Sequence, residues 1–166
     1  MLAASLAPIC PVVAETGASV PYLRAAPFRE GVGRLGLGLS FTVPGDSRSP
    51  FIGRTLVAAA LQAHGLGRYV WPAAHVVHEL VAVSARISPG REIYVSLRQR
   101  EDAMRLLVWD QHVRHDRPHV ATLCEARRRR ALWLLAAVVD DWGGEWGSGE
   151  AVPPHHGTKS WVTLPR

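Results

Sequence analysis

The sequence predicts an α+β fold, a two-layer α/β sandwich in which a mixed, mainly antiparallel sheet carries helices on one face. Short stretches of alternating apolar residues indicate strands, and stretches with apolar residues three or four positions apart indicate helices. Their order along the chain is β-α-α-β-β, then a loop, then α-β-β, which is typical of helices packed on one side of a sheet. With 166 residues and a hydrophobic content of 48%, the chain is long enough for one domain with a core.

The composition excludes some functional classes. The net charge is +5, but Lys159 is the only lysine, and an excess made of arginine is weak evidence for a nucleic-acid partner. No run of about 18 apolar residues occurs, so we expect no membrane partner. The two cysteines, Cys10 and Cys124, have no metal or redox spacing, and we expect a cytoplasmic location.

Residues 1–38 are predicted to form a flexible N-terminal lead and residues 39–166 the folded domain. The lead is rich in proline, glycine and alanine and has no sustained periodicity. It contains the run Gly31-Val-Gly-Arg-Leu-Gly36, which has the letters of a dinucleotide-binding loop. No strand is evident before it and no helix after it, so a linker is the better interpretation.

The domain is predicted to begin with a strand and two helices. Residues 39–43 alternate as a short strand. After a turn, Ser47 or Ser49 offers an N-cap for a helix with Pro50 at its first position, and Gly65 is expected to end that helix. A second helix is predicted over residues 71–86.

The second half of the domain is predicted to contain four strands and a helix. Residues 92–97 and 104–110 form a hairpin by their pattern. Residues 111–125 are predicted to be a polar, histidine-rich loop and residues 126–140 a helix. Trp146 is expected near a turn, and residues 157–164 alternate as a last strand.

Several segments resemble a known family in their order and spacing. His78-Glu-Leu-Val81 looks like the Ser-Glu-Leu-Val of its cleft helix, and Val108-Trp-Asp110 is similar to a strand that ends in an adenine-binding aspartate. The stretches 131–143 and 157–162 resemble its last helix and last strand. The family is that of the GHKL (Bergerat-fold) ATPases, in particular the actinobacterial serine/threonine-kinase-like regulators related to anti-sigma factors. The resemblance covers about residues 39–165, and an unrelated α/β sandwich is the alternative.

The resemblance implies roles for two carboxylates in an ATP site. Glu79 would be the general base that orients the group attacking the γ-phosphate. Asp110 would accept a hydrogen bond from the exocyclic amine of adenine. The residues by themselves also allow simpler interpretations, with Glu79 as an exposed helical glutamate and Asp110 as a strand end that starts a turn.

The same comparison of motifs indicates a weakened site. Val83 stands where the family has a magnesium-binding asparagine, so we expect Mg²⁺ binding and phosphoryl transfer to be weakened or lost. Arg129, Arg130 and Ala131 stand where the family has a Gly-x-Gly whose N–H groups bind phosphate. The arginines would either bind the triphosphate with their side chains or face a partner or solvent. In the first turn of the predicted helix they would oppose the helix dipole.

The histidines do not predict a metal site. His75, His78 and Glu79 share one helix face, and His112, His115 and His119 follow in the predicted loop, but neither set has a known zinc spacing.

Two functions therefore remain open. The first is an ATP-binding regulatory protein that resembles anti-sigma-factor kinases, with weakened or lost phosphoryl transfer. The second is a catalytically inactive pseudo-ATPase module that binds a sigma factor or an antagonist protein. The resemblance also suggests a homodimer.

Overall fold

In the part of the chain that the structure describes, five strands and four α-helices form two layers. The structure is a computed structural model, and it describes residues 9–10, 36–152 and 155–166. The elements are β1 (Gly38–Pro44), α1 (Ser49–Ala63), α2 (Val70–Ile87), β2 (Glu92–Arg100), β3 (Ala103–Asp110), α3 (Pro118–Ala131), α4 (Trp133–Asp141), β4 (Glu145–Glu150) and β5 (Thr158–Pro165), with a short 3-10 turn at Gly67–Tyr69.

The strands form one sheet in the order β1-β2-β3-β5-β4. Every neighbouring pair among these strands is antiparallel. The predicted α+β, two-layer sandwich is therefore confirmed, with a sheet that is antiparallel rather than mixed across the described residues.

One face of the sheet and one face of the helices form the core. Side chains alternate between the two faces of a strand, so every second residue of β2, β3 and β5 points to the helical layer. These residues are fully buried, as are the facing residues of α2. Each buried aliphatic side chain of this kind contributes about 1.5–3 kcal/mol. The strand residues are Ile93, Val95, Leu97, Met104, Leu106, Val108, Val162 and Leu164, and the α2 residues are Val76, Val77, Leu80 and Val81.

Helix α1 begins differently from the prediction. Its N-cap residue is Arg48, and neither Ser47 nor Ser49 caps it with a side chain. Asp46 does so from the preceding turn, since its Oδ1 accepts hydrogen bonds from the backbone N–H groups of Arg48 at 2.9 Å and Ser49 at 3.2 Å. Pro50 lies in the first turn, but as the second residue of the helix rather than the predicted first.

The predicted loop over residues 111–125 and helix over residues 126–140 are wrong in their boundaries. Helix α3 already begins at Pro118, because proline is well suited to the first turn of a helix and no breaker follows it. The helix does not continue to residue 140 either, since Leu132 leaves the helical conformation and α4 starts after it. Trp146, expected near a turn, is the second residue of β4 and follows the turn at residues 142–143.

Part of the predicted N-terminal lead contacts the domain. Ile9 and Cys10 are buried, and Ile9 belongs to the core cluster. The backbone N–H of Gln99 donates to the carbonyl of Leu37 at 2.8 Å, so Leu37 also contacts the sheet. The Gly31 to Gly36 run lies outside the described residues except for its last glycine.

None of the helices in the described ranges has the length and apolar character needed to cross a membrane.

Candidate functional site

Asp110 is the last residue of β3 and is completely buried. It follows Val108 by two positions, so the alternation of the strand turns its side chain toward the helices rather than toward solvent. A carboxylate there requires partners, because burial of an unpaired charge is very costly.

Arg128 of α3 supplies the main partner. Its Nη1 lies 2.8 Å from Oδ2 of Asp110 and its Nη2 lies 3.2 Å from Oδ1, which is a two-pronged ion pair. The Arg128 side chain is itself only 5% exposed. The planar guanidinium matches the two carboxylate oxygens, so this is the strongest type of charged hydrogen bonding available to Asp110.

Two further donors complete the environment of the carboxylate. Ser84 of α2 donates its hydroxyl to Oδ2 of Asp110 at 2.9 Å, and the backbone N–H of His112 donates to Oδ1 at 3.1 Å. Arg128 also approaches the hydroxyl of Ser160 on β5, at 3.5 Å. Each carboxylate oxygen thus accepts two hydrogen bonds from the protein, and α2 and α3 cover the end of β3.

Val83 and Glu79, both on α2, lie in different surroundings. Val83 is buried in the hydrophobic core, with 4% exposure. Glu79 is half-buried and lines an open groove between α1 and α2 of about 580 Å³, together with Arg54, His75 and His78. Glu79 lines this groove on α2, whereas Asp110 lies at the buried end of β3.

The arginine run lies at the C-terminal end of α3, not in the first turn of a helix. The predicted conflict with the helix dipole is therefore wrong, because positive side chains in a last turn stabilise the dipole. Arg129 is exposed and forms an ion pair of 3.3 Å with Glu125, one turn earlier. Arg130 is exposed and Ala131 is the last residue of α3. Only Arg128, which was not among the predicted site residues, points inward.

Four potential metal ligands lie beside the Asp110–Arg128 pair. They are Cys10, His112, His115 and Cys124, and their ligand atoms all lie within 4.8 Å of one another. The two closest pairs join Sγ of Cys10 to Nε2 of His115 and Sγ of Cys124 to Nε2 of His112, each at 3.2 Å. The two imidazole rings meet edge to face, with centroids 5.0 Å apart. We call these four residues the Cys/His cluster.

Burial controls the protonation of two members of the cluster. It lowers the pKa of His112 to about 4, against the weaker opposing effect of the Asp110 charge. Burial, followed by the neighbouring Cys10, raises the pKa of the Cys124 thiol to about 11. At neutral pH, His112 is therefore a neutral imidazole and Cys124 a protonated thiol.

Sequence reasoning missed this cluster because its members are far apart in the chain. The hydrogen bond between Cys10 and His115 spans 105 residues, and no local spacing indicates such a contact. Two local signals were present: His112 and His115 are three residues apart, and Cys124 and Arg128 are four residues apart, which places the latter two on one face of a helix. Cys124 and Arg128 are both buried. Because the predicted loop over residues 111–125 includes Cys124, the prediction did not place Cys124 and Arg128 on the same helix.

Comparison with other proteins adds no family assignment: no protein-family model matches the sequence, and a search of curated proteins finds no match.

Proposed function

We propose that the protein is a catalytically inactive binding module with a GHKL-type fold, a pseudo-ATPase that acts by binding a protein partner. The observation that carries this proposal is the bidentate contact of Arg128 with Asp110 in a fully buried position. Adenine selection by an aspartate requires a carboxylate oxygen that is free to accept a hydrogen bond from the base. In this chain both oxygens already have charged or backbone donors.

Opening this position for a base would be expensive. The guanidinium of Arg128 would have to leave a buried carboxylate, and breaking a buried ion pair by removing one partner costs about 3–5 kcal/mol. A nucleotide would need to recover that energy through its phosphates. The chain offers little for this purpose, since Val83 has no oxygen ligand for Mg²⁺ and Arg129 and Arg130 point to solvent.

The exposed surface of the helices supports binding of a protein partner, whereas the buried end of β3 does not support binding of a nucleotide. Four large apolar residues are exposed on α1 and at the start of α2, where a free domain gains nothing from their exposure. They are Phe51, Ile52, Leu56 and Trp71. Ile52 and Leu56 are one helical turn apart and are neighbours on the surface of α1, and we call these two residues the α1 apolar patch. By the family resemblance, a sigma factor or an antagonist protein is the partner class to test first.

Calorimetric titration with ATP, with and without Mg²⁺, tests the loss of nucleotide binding. We expect no heat of binding at millimolar ATP. The other function expected from the sequence, ATP binding with weakened phosphoryl transfer, predicts a measurable affinity that Asp110→Ala abolishes. That result would refute the pseudo-ATPase proposal.

Binding to purified sigma factors and antagonist proteins of the source organism tests the second half of the proposal. Leu56→Asp should weaken the complex at least about tenfold if the α1 apolar patch is a central contact. Val152→Asp is the matched control, since Val152 is also exposed but lies outside the patch. Equal loss of binding in both variants would contradict the assignment of the surface.

A further inference from the structure

We propose that the Cys/His cluster binds one divalent transition-metal ion, Zn²⁺ by its ligand chemistry. The site consists of Sγ of Cys10, Nε2 of His112, Nε2 of His115 and Sγ of Cys124. This inference does not depend on the proposed function, because it concerns a different set of atoms from the nucleotide position and the α1 apolar patch.

The four ligand atoms are close enough to one another to form a tetrahedral site. Zinc bonds to thiolate at about 2.3 Å and to imidazole at about 2.0–2.1 Å, so neighbouring ligand atoms in a tetrahedron are about 3.3–3.8 Å apart. Two of the pairs in the cluster are 3.2 Å apart. The remaining pairs lie within 4.8 Å, and small side-chain rotations would bring them to the required distance.

The types of ligand favour zinc over the hard cations. Two sulfurs and two imidazole nitrogens form the Cys₂His₂ set that is typical of structural zinc sites. Magnesium and calcium prefer oxygen ligands, and the cluster contains none. All four positions come from protein side chains, so we infer a structural site rather than a catalytic one with an open position.

The charges also balance in this partly buried location. Binding of Zn²⁺ displaces the thiol protons of Cys10 and Cys124 into solvent, and the two thiolates then neutralise the ion. The adjacent Asp110–Arg128 pair is neutral as a whole. The assembly therefore places no net charge in the interior, where an uncompensated ion would be costly.

The metal would connect three separate parts of the chain. Cys10 brings the N-terminal segment, His112 and His115 bring the connection between β3 and α3, and Cys124 brings α3. A further contact already joins the first and last of these, since Nη1 of Arg127 lies 3.5 Å from the carbonyl of Ile9. Because Arg128 is one helical turn from Cys124, the metal would also hold α3 in place over Asp110.

Metal analysis of the full-length chain, purified under reducing conditions and reconstituted with Zn²⁺, tests the proposal. We expect about one Zn²⁺ per chain, and reconstitution with Co²⁺ should give a thiolate-to-cobalt charge-transfer band with strong tetrahedral visible bands. Cys10→Ser should reduce zinc affinity by at least about a hundredfold and weaken the charge-transfer band. The far-UV circular dichroism of this variant should match that of the wild type, because Cys10 precedes every described strand and helix.

Two further variants define the site. His115→Ala should lose zinc as Cys10→Ser does, whereas His119→Ala should keep it, because His119 is an exposed histidine of the same region outside the cluster. Failure of the reduced wild-type protein to bind Zn²⁺ or Co²⁺ would overturn the proposal. Unchanged zinc binding in Cys10→Ser and His115→Ala would also overturn it. A third contradicting result would be a Cys10–Cys124 disulfide, without bound metal, in protein kept under reducing conditions with Zn²⁺ present.

Discussion

At the scale of single residues, Arg128 determines what the end of β3 can do. An aspartate that ends a strand is accessible to a ligand only if the protein does not use it internally. Here the guanidinium of Arg128 occupies both carboxylate oxygens, and the hydroxyl of Ser84 adds a third side-chain donor. The position thus serves as a buried polar link between the sheet, α2 and α3.

We therefore expect Arg128→Met to destabilise the fold by about 3–5 kcal/mol, because Asp110 would remain buried without its counter-charge. Urea unfolding followed by circular dichroism measures this loss. Arg130→Met is the matched control, since Arg130 is exposed in the same helical turn, and its effect should stay within about 0.5 kcal/mol. The double variant Arg128→Met with Asp110→Leu should recover most of the stability, and equal losses in the single and double variants would contradict a charge-based explanation.

Asp46 provides a second prediction at the residue scale. The side-chain hydrogen bond from Arg48, together with its backbone N–H, lowers the pKa of Asp46 from its ordinary value of 3.8 to about 2. The interaction stabilises the start of α1 above the ordinary pKa, and its contribution is lost as the pH falls toward 2.

Titration of the Asp46 carboxyl by carbon-detected NMR measures this pKa. In Arg48→Ala the value should rise toward 3.8, while Ser47→Ala should leave it near 2, because Ser47 makes none of the recorded hydrogen bonds to Asp46. A pKa near 2 in both variants would assign the effect to the remaining backbone and Ser49 donors.

At the scale of elements, periodic segments could be predicted and α3 could not. Helices α1 and α2 have apolar residues spaced for one buried face, and the strands alternate, so their existence and order follow from the sequence. Helix α3 buries only Cys124 and Arg128, neither of which contributes to a recognisable apolar stripe. Its burial depends on partners in β3 and in the N-terminal segment, which no local window contains.

The packing of α1 on α2 leads to a prediction at this scale. Gly53 lies in the middle of α1, where glycine costs about 0.5–1 kcal/mol relative to alanine. A Cβ at this position would lie 3.6 Å from Val77 and 3.7 Å from Val81, which are ordinary contact distances. Gly53→Ala should therefore stabilise the protein by about 0.5–1 kcal/mol, measured by urea unfolding.

Gly45→Ala is the contrasting control. A Cβ at Gly45 would overlap the carbonyl oxygens of Ser88 and Arg91, so this change should destabilise the protein. If Gly53→Ala also destabilised it, the approach of α1 to α2 would have to be closer than the structure indicates.

At the scale of the whole molecule, the sequence predicted the two-layer architecture but not the way in which distant residues meet. Asp110 could be singled out because a strand visibly ends there. Its partner Arg128 could not be distinguished from the three arginines beside it without knowing which face of α3 is buried. The Cys/His cluster needed the position of Cys10, whose contact partners lie about a hundred residues later in the chain.

The cluster gives the last prediction, which concerns metal removal. A ligand that binds only the folded state stabilises it by about 4 kcal/mol when it is present at a thousand times its Kd. For a chain of this size each kcal/mol shifts Tm by about 2–4 °C, so chelation of Zn²⁺ should lower Tm by about 8–16 °C. Calorimetry of the same preparation before and after chelation, and after Zn²⁺ is restored, measures the shift.

The location of the change in hydrogen exchange distinguishes a specific metal site from nonspecific metal binding. Hydrogen exchange in the chelated protein should rise in α3 and around residues 111–117, which the metal would hold. It should stay low in the middle of β2, which has a fully buried inner face and contributes no residue to the cluster. Cys10→Ser should show the exchange pattern of the chelated protein even with Zn²⁺ present. A uniform increase in exchange, or a Tm that chelation does not change, would mean that the four side chains pack together without a metal and that hydrogen bonds between thiol and imidazole account for their proximity.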